Sequence, residues 1–172
     1  MSATVQTGSG YFFMPEHIIL VGASERPHSL GERIFSHLLG SSYQGKITPV
    51  NLRHSSVAGI PSYSSLSKIP GQADLVVAVI PPDHYDSLFK ACRKKDLHHI
   101  ILIQDWENLP PESCKNARST IQKHHGDELN ITVCNSAGIQ LPSLNLNIST
   151  QTDYPAGHIA LLTGHSLSLI HI

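Results

Sequence analysis

A doubly wound α/β sheet is the fold this sequence predicts, and three observations predict it. Short apolar runs rich in β-branched residues recur along the chain, and stretches with helical spacing separate them. The runs are nearly continuous in apolar character rather than alternating. Strands of that kind are buried on both faces, which is the condition of a parallel sheet covered by helices on either side.

Residues 1–12, rich in Ser, Thr and Gly, read as a flexible leader. Gly8-Ser-Gly10 follows no strand, so it forms no phosphate loop. Order begins near Phe13. The first strand covers residues 17–21 and runs into Gly22-Ala23-Ser24, and the helix predicted over 30–39 repeats Leu30, Ile34 and Leu38 along one face. Further strands are predicted over 46–50, 74–80, 99–103 and 130–133. A helix over 85–95 offers Leu88, Phe89 and Cys92 to a core. A third runs from 112 to 125, because Pro110-Pro111 suits a helix start and Gly126 suits its end.

Beyond Gly138 the pattern changes: 141–149 reads as irregular, 150–156 as a polar linker, and 158–162 as one more apolar strand. A lone strand with no helix behind it cannot bury both faces, so 157–166 reads as the start of a truncated second domain. Residues 167–172, Leu167-Ser-Leu-Ile-His-Ile172, match the in-frame translation of a transposon end used in sequencing libraries and are set aside as an adapter artefact. On that reading the natural product continues past Ser166.

A length of 172 residues suits one well-buried domain. Twelve Lys and Arg against thirteen Asp and Glu leave a formal charge of −1, which gives no chain-wide basic field for nucleic acid or an anionic membrane. Any phosphate binding is therefore local. No apolar run approaches the roughly 18–20 residues of a membrane span, and no signal-peptide pattern opens the chain, so a cytoplasmic protein is expected. Cys92, Cys114 and Cys134 are odd in number and far apart, which argues for reduced thiols over a disulfide framework or a Cys-x-x-Cys site. Twelve histidines are many, but His98-His99 and His124-His125 are adjacent pairs whose side chains diverge. Neither gives the i, i+4 face of a metal site, and no metal is expected.

The chemistry sits where the first strand ends. Gly22 and Ala23 let backbone come close to a ligand, the Ser24 hydroxyl and the N–H groups of the turn meet a phosphate, and the following helix start favours negative charge. Gly22 and Gly31 are nine apart, so the dinucleotide fingerprint Gly-x-Gly-x-x-Gly is absent. At the end of the second strand an NAD site wants a carboxylate for the ribose, and this chain carries Asn51-Leu-Arg53. No nucleophile elbow, Walker sequence or kinase signature is present, so nothing is self-sufficient for catalysis.

An ordered series of motifs over residues 13–166 resembles a known family. Phe13-Met-Pro15 leads into the first strand and turn; Arg26-Pro27 and Gly31 follow; Pro49-Val50-Asn51 closes the second strand; Pro61-Ser-Tyr63 and Ala73-Asp74-Leu75 lead to Ile80-Pro81-Pro82. Asn135-Ser136-Ala-Gly138 and Leu144-Asn-Leu-Asn147 follow as a domain exit, and 157–162 comes last as the first strand of a second domain. The series is similar to the N-terminal, Rossmann-like CoA-binding domain of the NDP-forming acyl-CoA synthetases. That group includes the succinyl-CoA synthetase α-subunit and large protein lysine acetyltransferases. The resemblance implies a CoA-binding domain over 13–149, a flavodoxin-like second domain, and coenzyme A or acyl-CoA as ligand, with ATP or ADP handled only by other domains of the same chain or a partner subunit.

Mapped onto this chain, the implied CoA contacts are Gly22, Ala23, Ser24, Arg26, Pro27, Gly31, Asn51, Arg53, Ile80, Pro81 and Pro82. Arg26 adds a charge-assisted contact, Arg53 meets the 3′-phosphate, and Ile80-Pro81-Pro82 walls the adenine. The chain departs from the family at Val133-Cys134, at Gln104-Asp-Trp-Glu107 and at Thr163-Gly-His-Ser166. The first and last of these departures motivate an alternative, a CoA-sensing module of a degenerate ligase. Arg53 would equally suit the 2′-phosphate of NADP, which keeps an oxidoreductase domain as a second alternative.

Overall fold

The computed structural model describes residues 14–126 and 128–156. The expected leader, the strand over 158–162 and the last six residues lie outside them.

The parallel sheet is formed by β1 (His17–Val21), β2 (Lys46–Val50), β5 (Leu75–Ala78), β6 (His99–Ile103) and β7 (Asn130–Cys134), in the spatial order β2-β1-β5-β6-β7. Two strands of a small antiparallel hairpin, β3 (Ser56–Val57) and β4 (Ile60–Pro61), fall between β2 and β5 in sequence. Beyond β2, Tyr63 makes a single parallel bridge to Val50: its N–H donates to the Pro49 carbonyl at 3.1 Å and its carbonyl accepts from Asn51 at 3.0 Å. Counting that bridge as a vestigial strand gives the order 3-2-1-4-5-6 of a dinucleotide-binding sheet. The order reverses between β1 and β5, so a crevice opens at their carboxyl ends.

Both faces are covered, as continuous apolar strands require. Ile18, Leu20, Leu75, Val77, Ile101 and Ile103 point to one face and meet α1 (Leu30–Gly40) through Ile34, Phe35 and Leu38. Ile19, Val76, Ala78, Ile100, Leu102 and Ile131 point to the other and meet α2 (Tyr85–Lys94) and α3 (Pro111–His124). The predicted elements stand within two residues of these bounds, and the third predicted strand is trimmed at both ends to Leu75–Ala78.

One expectation is corrected. Residues 141–149 are not irregular: β8 (Ile139–Leu141) and β9 (Leu146–Ile148) pair antiparallel and pack beside α1 with Leu146 and Ile148 buried. Pro142 and the left-handed Asn145 (φ 51°) break the alternation that would have announced the hairpin. The expected linker over 150–156 starts inside the packed unit. Thr150 is buried, its carbonyl accepts from Arg33, and Asn147 holds the Gln151 carbonyl and the Asp153 carboxylate.

The helices on the second face are braced by one cluster. His124 is 5% exposed, with its Nε2 2.9 Å from Asp86 and its Nδ1 2.5 Å from Arg93. A guanidinium only donates, so Nδ1 is the acceptor and the ring gives its Nε2 hydrogen to Asp86. Arg93 also donates to the His124 carbonyl at 3.0 Å and to Glu128 at 2.9 Å, closing the carboxyl end of α3. All three cysteines are free; Cys92 is buried, which pushes its thiol up to about 12. Among the described residues no helix is long and apolar enough to cross a membrane.

Two outcomes follow from the brace. Arg93→Ala leaves a buried ring nitrogen and a helix end without donors, and costs about 2 kcal/mol in urea unfolding. Hydrogen bonds from Lys90 and then His124 hold the Asp86 carboxyl at about 2, below its ordinary 3.8. A lowered carboxyl stabilises the fold fully above about pH 4 and ceases to as pH falls toward about 2. Asp86→Asn therefore makes the decline in melting temperature across that window shallower.

Candidate functional site

The crevice is built around Gly22. With a φ of +92° and an N–H donating to the Val50 carbonyl at 3.1 Å, Gly22 extends β1 while turning its peptide toward β5. Val79 answers by donating to the Val21 carbonyl at 2.8 Å. The two strand ends are so close that a Cβ on Gly22 would lie 2.1 Å from the Val79 carbonyl oxygen and 3.0 Å from the Ile80 side chain. The second turn of contact is made by Gly31, where a Cβ would lie 2.2 Å from the Gly22 carbonyl oxygen. In a dinucleotide fingerprint, glycines admit the ligand and let the helix pack closely on the strand. Here Gly22 and Gly31 provide that close packing across a longer turn.

That turn is held by its own side chains. Ser24 accepts from the Arg26 N–H at 3.0 Å, Ser29 donates its N–H to the Arg26 carbonyl, and the Ser29 hydroxyl caps the Glu32 N–H of α1 at 3.2 Å. Glu25, which sequence reasoning passed over, accepts from the Ala58 N–H at 2.5 Å and ties the turn to the β3–β4 hairpin. Arg26 and Pro27 are left exposed on the rim.

Asn51 joins the two strand-end loops. Its amide donates to the Ala23 carbonyl at 2.8 Å, and its oxygen accepts from the N–H groups of Arg53 at 2.8 Å and His54 at 3.0 Å. Both ends of Asn51 are thus engaged by the chain itself, and the Ala23 side chain is buried. These two residues shape the site from behind. Arg53 is exposed and lines a hollow of about 330 Å³ between the end of β2 and the Tyr63 bridge, with Leu52, His54, Tyr63, Ser64 and Lys68. His54 also escaped the sequence reading, and so did Ser64 and Lys68, because only the Tyr63 bridge brings residues 62–68 beside β2.

Ile80 is half-buried against Gly22, exposed Pro81 precedes a short 3₁₀ turn (Pro82–His84), and that turn leads into α2. The structure therefore gathers Gly22, Ala23, Gly31, Asn51 and Ile80 at the switch point. Arg53 stands to the side of β2, and Arg26 and Pro27 stand above. The ion pairs among the described residues all lie elsewhere, around Asp86, Glu128 and Asp96, so Arg26, Arg53 and Lys68 form no ion pair with a described carboxylate. No cluster of described His, Cys, Asp or Glu residues could hold a metal ion.

A parallel five-stranded sheet with a switch-point crevice and a small-residue turn places the chain in the doubly wound α/β class, whose ligands bind in that crevice. The chain belongs to the CoA binding domain family, which it matches over residues 16–140. It is 30% identical over 155 residues to the α subunit of acetate–CoA ligase (ADP-forming) II from Pyrococcus furiosus, covering 89% of this chain and 34% of that one. Among solved structures, PH0766 from Pyrococcus horikoshii OT3 superposes with a TM-score of 0.72 at 26% identity, over 89% of this chain and 35% of the other. The Ca. Korarchaeum cryptofilum dinucleotide-forming acetyl-coenzyme A synthetase 1, in complex with phosphate and ADP, shares the fold with a TM-score of 0.68 at 22% identity, over 83% and 31%. The chain spans about a third of the length of these relatives.

The double close approach sets a sharp expectation. Gly22→Ala drives a methyl group into a backbone oxygen at a left-handed φ and destabilises the chain by about 3 kcal/mol or more, read by urea unfolding. Ser24→Ala, on the same turn, costs less than about 1 kcal/mol, the value of one exposed hydrogen bond.

Proposed function

We propose that this chain binds coenzyme A and serves as the CoA-holding part of an ADP-forming acid–CoA ligase. The observation that carries the reading is the pairing of a switch-point crevice with cations that form no ion pair among the described residues, in a chain of the CoA binding domain family. On this reading the diphosphate lies over the turn from Gly22 to Gly31. There the backbone N–H groups and Ser24 meet it, with Arg26 at the rim. The adenine rests on Ile80, Pro81 and Pro82, and the 3′-phosphate reaches Arg53.

The end of β2 argues for this ligand over NAD. A ribose diol wants a carboxylate there, and Asn51 is committed to the turn while Arg53 presents a cation. Binding without catalysis by the chain itself is part of the proposal: among the described residues the crevice sets no nucleophile beside a base. Its role is to fix the CoA phosphates so that the thiol end is delivered to other domains or a partner subunit, which carry the ADP chemistry. The ligase named for the Pyrococcus relative motivates that assignment.

The test is calorimetric titration of the 172-residue chain with CoA, dephospho-CoA and NADP in parallel. CoA binds, and loss of the 3′-phosphate weakens it. Arg53→Ala lowers CoA affinity about tenfold, the worth of one charge-assisted hydrogen bond, and leaves dephospho-CoA nearly unchanged. Preference for NADP, or equal loss for both CoA forms, contradicts the reading.

A further inference from the structure

Resting on the CoA reading, we propose that Lys68 is a second specificity-determining cation. With Arg53 it makes the hollow beside β2 a subsite for the 3′-phosphomonoester of a nucleotide ribose, while a 5′-phosphate stays over the Gly22 turn. The hollow, rather than the Gly22 turn, then selects a 3′-phosphorylated ligand.

Two rigid segments carry the cations to the hollow. On one side, the Asn51 carboxamide fixes the chain at Arg53 and His54 through the two N–H bonds described above. On the other, the Tyr63 bridge lays residues 62–64 along β2, and a 3₁₀ turn (Leu66–Lys68) follows. Leu66 and Ile69 are buried at 4% and 3% exposure, so Lys68, between them, faces outward. Lys95, at the end of α2, donates to the carbonyls of Ile69 at 2.7 Å and Gly71 at 3.1 Å and pins the segment from behind.

The donors are aimed as well as placed. Lys68 Nζ donates to the Ser64 hydroxyl oxygen at 2.8 Å, which leaves the Ser64 hydrogen free for an anion. Ser62 spends its own hydrogen on the Pro49 carbonyl at 3.3 Å and is no competitor. The residues lining the hollow are Asn, Leu, Arg, His, Ser, Tyr and Lys, with no Asp or Glu among them. A chain of net charge −1 thus places two cations, a histidine and a free hydroxyl donor around one hollow, with no acid among its lining residues. Two oxygens of one phosphomonoester satisfy both cations at once. A diphosphate, flanked on both sides by its esters, offers no such terminal dianion.

The experiment titrates the 172-residue chain and its Lys68→Ala and Lys68→Arg variants with CoA, dephospho-CoA, adenosine 3′,5′-bisphosphate and 5′-AMP. Lys68→Ala lowers affinity for CoA and for adenosine 3′,5′-bisphosphate by the same factor, about tenfold, and changes dephospho-CoA and 5′-AMP less than about twofold. Lys68→Arg keeps the discrimination. A uniform loss across all four ligands, or no loss, in a variant that melts like the parent overturns the role of Lys68. A folded parent chain that binds neither CoA nor the bisphosphate overturns the CoA reading beneath it.

Discussion

The contact on which the rest of this structure depends is the approach of Gly22 to the carboxyl end of β5. At a switch point the chains leaving two adjacent parallel strands go to opposite faces of the sheet, which opens a crevice between them. Here β1 and β5 stay hydrogen-bonded through Val79 to Val21, and Gly22 slips past the Val79 carbonyl where no side chain fits. Gly31 then seats α1 on the Gly22 carbonyl. Helix, turn and two strands are locked at one point, and that point is the floor of the crevice.

The scaffold around it divides the labour between its faces. On the α1 side, the β8–β9 hairpin completes the apolar cover and the last described residues are tied back through Asn147 and Thr150. On the other side, α2 starts from Pro81 and Pro82 at the crevice and is braced to α3 by the buried His124 between Asp86 and Arg93. The brace fixes the helix that carries the crevice wall, so a polar cluster far from the strand ends contributes to the shape of the site.

The sheet was legible because its strands carry their own periodicity: Ile18 to Leu20 and Ile100 to Ile103 are buried whichever face they point to, and no tertiary knowledge is needed to read them. The hairpin was not legible, since Ile139, Leu141, Leu146 and Ile148 alternate in two halves separated by Pro142 and a left-handed Asn145. The residue types of the Gly22 turn suggest a phosphate site, yet the nine-residue spacing to Gly31 hid the close packing that only the folded chain reveals. Asn51 illustrates the converse. Its position at a strand end suggests a ligand contact, while its geometry gives it to the Ala23 carbonyl and the following turn. Lys68 lies fifteen residues beyond Arg53 in sequence and reaches the same hollow through a one-residue strand, a signal too short for any pattern.

The most direct test of the central claim is the footprint of CoA on the amide signals of the isotopically labelled chain. The account predicts that CoA shifts the amides of 22–31, 51–54 and 62–68 together, saturably and with a single affinity, while those of α3 stay in place. Shifts confined to the outer surfaces of α2 and α3, or no shifts in a well-folded spectrum, would contradict a ligand site at the switch point.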